Sequence, residues 1–109
     1  MATYTSTITH DARPYARALN AMNYDYHLFG NHEFNFGPDY YRPAYENLKG
    51  KILCANILDQ ATQSSLMGCP YEIIDFEGIK IGIIGVTTHY IPNWELPEHY
   101  QGVDFLDAF

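Results

Sequence analysis

The order of apolar patterns along the 109-residue chain predicts an α/β fold built around a mixed sheet. Two helical patterns alternate with two short extended runs in the first half of the chain. The second half then contains two apolar runs separated only by Glu77-Gly78, which is typical of a β-hairpin. A sheet that contains both kinds of connection is expected to be mixed.

The first helix and strand are predicted over residues 9–29. Thr9–Asp11 offers N-cap side chains, and Pro14 falls in the first turn, where its missing N–H is tolerated. A short strand, Tyr26–Phe29, follows and ends at Gly30. The apolar side of the helix consists of Ala16, Ala18, Leu19 and Met22.

The second helix and strand repeat this arrangement. Pro38 opens a helical pattern over Asp39–Leu48, and Gly50 stops it. Lys51–Asn56 is nearly continuous in apolar residues, which favours a buried strand.

The second half of the chain is predicted to contain the hairpin and two loops. A polar loop over Gln60–Gly68 precedes the hairpin strands Tyr71–Phe76 and Ile79–Val86. A loop rich in proline and aromatic residues follows over Thr87–Gly102, a length typical of functional loops. Residues 102–109 predict the end of a strand that leads into a helix.

Charge and composition restrict the partners. A net charge of −7 disfavours nucleic-acid polymers and anionic membrane surfaces, although a bound cation would allow a small phosphorylated ligand. No apolar run reaches membrane-spanning length, and residues 1–15 lack the pattern of a signal peptide. Cys54 and Cys69 are too few to predict a disulfide framework or a metal site, so composition leaves the compartment open.

The sequence GNHEFNFG, residues 30–37, concentrates chemically capable side chains directly after a predicted strand. Ligand sites in α/β sheets lie beyond the carboxyl ends of strands. The Asn31 amide oxygen suits a divalent cation, His32 can bind metal or transfer a proton, and Glu33 can support the loop. The alternative is a glycine-rich turn in which Asn31 tolerates a left-handed backbone and His32 is simply exposed.

The Gly-Asn-His-Glu box resembles that of the calcineurin-like metallophosphoesterases. MNYDYHLFGNHEF, FEGIKIGIIGVTT and IPNWE at Ile91–Glu95 are similar to the 5′-nucleotidase and 2′,3′-cyclic-nucleotide 2′-phosphodiesterase branch, from about Asp11 onward. The resemblance implies a four-layer α/β/β/α sandwich. Residues 1–109 would form part of its N-terminal metallophosphatase domain.

This resemblance also implies a chemistry. Two divalent ions (Zn, Mn, Mg or Fe) would promote in-line attack on nucleoside 2′,3′-cyclic phosphates or nucleoside monophosphates. Asn31 would bind one metal, His32 would be the catalytic histidine, and Gly30 and Glu33 would support the loop. His89 and Trp94 are candidate substrate-side residues; the default interpretations are a surface histidine and a tryptophan that anchors the loop.

The sequence departs from the family pattern in its other ligand boxes. No Gly-His-x-His is present, and no separate first strand carries Asp-x-His. Asp25-Tyr26-His27 matches Asp-x-His, but it lies on the strand that leads into the Gly-Asn-His-Glu box instead of on a separate first strand. We interpret it as a chance match. The remaining single histidines are predicted to lie at the surface or at helix ends; they are His10, His27, His89 and His99.

These departures predict an internal segment of a longer enzyme, inactive by itself. Its partners would be the rest of the parent chain, including a C-terminal substrate-recognition domain, and a nucleotide. Relatives are usually exported, which implies a periplasmic, cell-surface or secreted parent. The alternatives are a truncated, catalytically inactive remnant and a phosphate-binding module.

Overall fold

The computed structural model describes residues 8–109 and confirms the α/β class. Two α-helices lie wholly within the described residues, α1 (Arg13–Ala21) and α2 (Pro38–Glu46). The strands are short: β1 (Tyr26–His27), β2 (Lys51–Ile52), β3 (Ile57–Asp59), β4 (Tyr71–Phe76), β5 (Ile79–Ile84) and β6 (Val103–Phe105). Single 3₁₀ turns occupy Asn31–Phe34, Ile91–Asn93 and Pro97–Tyr100.

Helix α1 begins later than the predicted caps, with Ala12 at the N-cap position. Asp11 still satisfies the first turn, because its Oδ1 accepts the Arg13 backbone N–H at 2.9 Å. Pro14 lies in the first turn, as predicted. None of the helices in residues 8–109 is both long and apolar enough to cross a bilayer.

Helix α2 ends at Glu46, two residues before the predicted end. Its exit is tied to α1 by the Asn20 side chain. The Asn20 Nδ2 donates to the Asn47 carbonyl at 2.7 Å, and its Oδ1 accepts the Lys49 N–H at 2.6 Å. The side-chain amide of Asn20 therefore links the carboxyl-terminal end of α1 to the residues that follow α2.

Residues 51–56 form an extended segment that bonds several parts of the chain in turn. Strand β2 pairs parallel with β1, Tyr26 opposite Lys51. The regular ladder is shorter than the predicted strands because the partners then change. Leu53 N–H donates to the His27 carbonyl at 2.8 Å, whereas Cys54 and Ala55 donate to the carbonyls of Cys69 and Gly85, both at 2.7 Å.

The predicted hairpin is present as β4 and β5, with Glu77 and Gly78 both at positive φ, 52° and 86°. Strand β3, which lies where no strand was predicted, pairs antiparallel with β6. The helix predicted to follow β6 is wrong, because residues 106–109 are not helical. The pairing thus has both senses, as expected of a mixed sheet, but in three two-stranded sheets.

The core is aromatic and lies between α2 and the loop after β1. The Phe29 ring stacks on Tyr45, with ring centroids 4.1 Å apart and planes at 9°. Tyr41 meets Phe29 edge-on at 5.7 Å, and Phe34 lies 5.4 Å from Tyr41. We call Phe29, Phe34, Tyr41 and Tyr45 the aromatic cluster; all four are buried.

Candidate active site

The Gly-Asn-His-Glu loop leaves β1 in an extended conformation and turns at once into the 3₁₀ turn. The Glu33 carboxylate closes this turn, since its Oε2 accepts the Gly30 N–H at 2.6 Å. The Glu33 N–H in turn donates to the Gly30 carbonyl at 3.3 Å. A Cβ at Gly30 would lie 2.9 Å from that Glu33 oxygen, so a larger residue would force the Glu33 carboxylate to shift. Glu33 is buried, and the loop is held by its own side chain.

Phe34 anchors the other end of the turn. Its buried ring contacts Phe29, Tyr41 and Phe105, with centroids 5.3–5.9 Å apart. The inward direction of Phe34 and Glu33 leaves Asn31 half-buried and His32 exposed. The turn therefore directs Glu33 and Phe34 into the protein and leaves Asn31 and His32 as the candidate metal-binding and catalytic side chains.

Tyr45 supports the strand end beneath the loop. Its hydroxyl donates to the Leu28 carbonyl at 3.0 Å. Burial, and secondly the nearby Glu33 carboxylate, raise the pKa of Tyr45 far above its ordinary value. The hydroxyl therefore remains a neutral donor at physiological pH.

A hydrogen-bonded series of side chains joins the loop to the IPNWE segment. The His32 Nδ1 lies 2.9 Å from the Asn35 Oδ1, and the Asn35 Nδ2 donates to the Glu95 Oε1 at 2.9 Å. The second Glu95 oxygen lies 3.2 Å from the His99 Nδ1. Sequence reasoning missed Asn35, Glu95 and His99 as site residues. The available signal was the spacing of Asn35 three residues after His32, on one side of a helical turn.

Asn56 was also missed, although a polar residue at the end of an apolar run was a visible signal. It is 6% exposed, and its Nδ2 donates to the carbonyls of Thr87 and Leu106 at 2.7 and 3.0 Å. Its Oδ1 accepts the Thr87 N–H at 2.9 Å. The Thr87 hydroxyl donates to the Phe29 carbonyl, directly before Gly30. Asn56 thereby positions the segment that packs beside the loop entrance.

The two candidate substrate-side residues lie on the following segment. Trp94 is 59% exposed, and its ring centroid lies 5.7 Å from that of Tyr90. His89 is turned toward the end of the chain, where its Nδ1 accepts the Ala108 N–H at 3.4 Å and lies 3.6 Å from Asp107. Trp94 thus adjoins the Glu95 connection to the loop. The polar contacts of His89 are with residues 107–108, while its ring meets Tyr90 edge-on at a centroid distance of 6.1 Å.

The described residues supply an incomplete set of metal ligands. No group of three or more His, Cys, Asp or Glu side chains converges anywhere in residues 8–109. Asp25-Tyr26-His27 adds nothing to such a group, since the His27 Nε2 bonds the Lys49 carbonyl at 2.7 Å. A dinuclear centre needs several ligands on each ion, so these residues alone do not fit one.

Comparison with known proteins finds relatives over most of the chain. It is 38% identical over 97 residues to a 5′-nucleotidase of Vibrio cholerae, covering 89% of this chain and 17% of that protein. It is 38% identical over 94 residues to a 2′,3′-cyclic-nucleotide 2′-phosphodiesterase/3′-nucleotidase of Salmonella typhimurium, covering 78% and 14%. Cell wall protein Lmo0130 of Listeria monocytogenes is 35% identical over 112 residues, covering 86% and 14%. No family model matches the chain.

Solved structures with similar names also superpose on most of this chain. A protein assigned as a 5′-nucleotidase from Staphylococcus aureus superposes with a TM-score of 0.86 at 34% identity, covering 96% of this chain and 20% of that one. The calcineurin-like phosphoesterase YfkN of Bacillus subtilis superposes with a TM-score of 0.63 at 26% identity, covering 84% and 30%.

The fold and the loop therefore define a calcineurin-like phosphoesterase segment. The chain belongs to the branch of this family that contains the 5′-nucleotidases and the 2′,3′-cyclic-nucleotide phosphodiesterases. It spans only 14% to 17% of the length of these curated relatives.

Proposed function

We propose that this chain is the part of a metal-dependent nucleotide phosphoester hydrolase that carries the catalytic histidine. The supporting observation is the pair formed by the half-buried Asn31 and the exposed His32, on a loop fixed by Glu33 after β1. The relatives that share this segment carry the names of nucleotidases and cyclic-nucleotide phosphodiesterases.

In this proposal Asn31 contributes its amide oxygen to one of two divalent ions, and the other ligands come from the rest of a longer chain. Bound divalent ions supply Lewis-acid activation of the phosphate. His32 stabilises or protonates the departing oxygen. Gly30 and Glu33 hold the loop, and Trp94 and His89 contribute on the substrate side.

The proposed substrates are nucleoside 2′,3′-cyclic phosphates and nucleoside monophosphates, recognised with the help of a C-terminal domain. The proposed parent is exported, in keeping with the cell wall relative. A second candidate is a phosphate-binding module without turnover. It is favoured by the lack of a three-residue ligand group in residues 8–109.

A chimera tests the first candidate. Residues 8–109 replace the corresponding segment of the Staphylococcus aureus protein, whose backbone they match closely. His32→Asn should lower turnover of cyclic nucleotides by ~10²–10⁴-fold with metal content unchanged, because general acid catalysis is worth about that much. Asn31→Ala should lower both metal content and turnover. His27→Asn and Asn93→Ala are the matched controls.

Two results would contradict these roles. Full activity in the His32→Asn chimera would remove the catalytic assignment, and unchanged metal content in the Asn31→Ala chimera would remove the ligand assignment. Nitrophenyl esters refine the result, because a good leaving group needs less protonation. A defect that shrinks on such esters indicates that His32 acts mainly as an acid, and an equal defect indicates charge stabilisation.

The 109-residue chain by itself should show no metal-dependent hydrolysis, since its described residues lack a complete ligand set. Bis-nitrophenyl phosphate and cyclic nucleotides are assayed with Mn²⁺ or Zn²⁺ and with the His32→Asn variant as the control. Turnover by purified monomer that this substitution abolishes would show that the ligand set is complete within the chain. Binding of inorganic phosphate without turnover in both the chain and the chimera would support the second candidate.

A further inference from the structure

We infer that Glu95 is a positioning residue for His32 and acts on it through the side-chain amide of Asn35. The inference rests on the proposed catalytic role of His32. It concerns which ring nitrogen of that histidine carries hydrogen and which way the ring faces.

The first step is the orientation of the Asn35 amide. A carboxylate only accepts hydrogen bonds, so the Asn35 group facing Glu95 at 2.9 Å must be its NH₂. The Asn35 oxygen then has to face His32. Without Glu95, the amide could rotate by half a turn and exchange the two atoms.

The second step is the His32 ring. The Asn35 oxygen is an acceptor, so the His32 Nδ1 at 2.9 Å must be the donor. With hydrogen on Nδ1, the other ring nitrogen, Nε2, is left to face away from Asn35 on the exposed side of the loop. A histidine held this way presents one defined atom, since the partner of one ring nitrogen decides the state of the other.

The third step is what holds Glu95. Its side chain is largely buried, and its Oε2 lies 3.2 Å from the His99 Nδ1. Its backbone N–H donates to the carbonyl of Ile91, whose side chain is fully buried. Glu95 is therefore a fixed acceptor rather than a mobile surface carboxylate, and His99 occupies its second oxygen.

An amide is the side chain that this position needs. An aspartate at residue 35 would place two carboxylates within hydrogen-bonding distance, where like charges disfavour each other. Asn35 instead donates on one side and accepts on the other. Glu95 of the IPNWE segment thereby orients His32 through Asn35, without a direct contact with His32 itself.

The test is histidine NMR on the ¹⁵N-labelled chain near pH 8.5, where an ordinary imidazole is neutral. His32 should show hydrogen on Nδ1 by roughly tenfold over Nε2, the bias that one net hydrogen bond sustains. Glu95→Ala should reduce this preference severalfold. Glu95→Gln should preserve it, because the Gln carbonyl still accepts from Asn35, and should instead shift the His99 tautomer. His32→Asn identifies the signal, and Glu98→Ala is the matched control.

Dispersed amide spectra establish that each variant is folded, and Asn35→Leu, which removes the acceptor, is a second route if Glu95→Ala is not. If the isolated chain is not folded, the histidine spectra are taken on the chimera. Hydrogen on the His32 Nε2 in the parent protein, or an unchanged His32 signal in folded Glu95→Ala, would overturn the inference. The spectra need neither substrate nor metal. An inactive chimera with the expected tautomer would therefore contradict the proposed function alone.

Discussion

The aromatic cluster under the loop and the β4–β5 hairpin differ in what covers their large apolar side chains. All four rings of the cluster are buried within residues 8–109. The hairpin, in contrast, exposes large side chains on both faces. These are Tyr71, Ile73 and Ile84 on one face and Phe76, Ile79 and Ile81 on the other.

This difference shows where the described residues form a complete packing unit. Strand alternation sends successive side chains to opposite faces, so a half-buried strand normally has one polar face. The hairpin has apolar side chains on both. The buried core under the loop contains no side chain of the hairpin strands, so changes in the two regions should have unequal effects.

The largest contrast is expected between Phe34→Ala and Phe76→Ala. Phe34 is 0% exposed and contacts three aromatic rings, whereas Phe76 is 62% exposed. Truncating a buried phenylalanine costs about 3–5 kcal/mol, and an exposed substitution is usually within about 0.5 kcal/mol. Urea unfolding of the parent protein and the two variants measures both losses in the free energy of unfolding. Equal losses would show that Phe76 is covered in solution and that the comparison is wrong.

Gly85→Ala and Gly82→Ala test the junction between the two regions. A Cβ at Gly85 would lie 2.3 Å from the Leu53 carbonyl oxygen, whereas one at Gly82 would meet nothing within 4 Å. Forcing extra atoms into a packed site costs about 1–3 kcal/mol, so Gly85→Ala should destabilise and Gly82→Ala should not. Thermal unfolding compares them. A neutral Gly85→Ala would mean that the hairpin can shift away from residues 51–56.

The same contrast explains what the sequence could predict. The hairpin and the helices follow from local signals, namely Glu77-Gly78, Pro14 and Pro38. Strand β3 carries no such signal, because it depends on pairing with β6, more than forty residues later. The predicted strand lengths were also wrong for a non-local reason, because residues 51–56 change hydrogen-bonding partners along their length.

The candidate site divides in the same way. Asn31 and His32 could be named as candidates because their box is contiguous in sequence, and their roles stay predictions. Glu95 could not be connected to His32, because Asn35 links to it across sixty residues. His99 was expected at the surface or at a helix end; it lies in the last turn of a short 3₁₀ helix and is half-buried against Glu95. Side-chain connections of this kind depend on how the loop after residue 87 folds back.

Tyr45→Phe should have a smaller effect that depends on pH. It removes the hydrogen bond to the Leu28 carbonyl but keeps the stack on Phe29, which predicts a loss of about 0.5–1.5 kcal/mol at neutral pH. Burial raises the pKa of Tyr45, so the folded state keeps this proton at a pH where the unfolded chain loses it. The stabilisation is fully present below about pH 10 and declines above it.

Urea unfolding at pH 7 and pH 11 measures this effect, with Tyr71→Phe as the exposed control on the hairpin. The parent protein should lose more stability between the two pH values than Tyr45→Phe does. Burial also raises the pKa values of Tyr41 and Cys54. Part of the loss of stability at alkaline pH should therefore remain in both proteins. Parallel losses in the parent and the variant would show that Tyr45 ionises normally in the folded state.

The smallest change in stability is expected from charges placed on both faces of the hairpin. Ile73 and Ile79 are exposed on opposite faces, so Ile73→Glu with Ile79→Glu removes little buried surface. Each exposed substitution should stay within about 0.5 kcal/mol, whereas Ile57→Glu, the matched change at a fully buried isoleucine, should prevent folding. Urea unfolding and light scattering are measured together, and added negative charge should also improve solubility. A loss well above 1 kcal/mol in the double variant, decreasing on dilution, would mean that a second copy covers the hairpin.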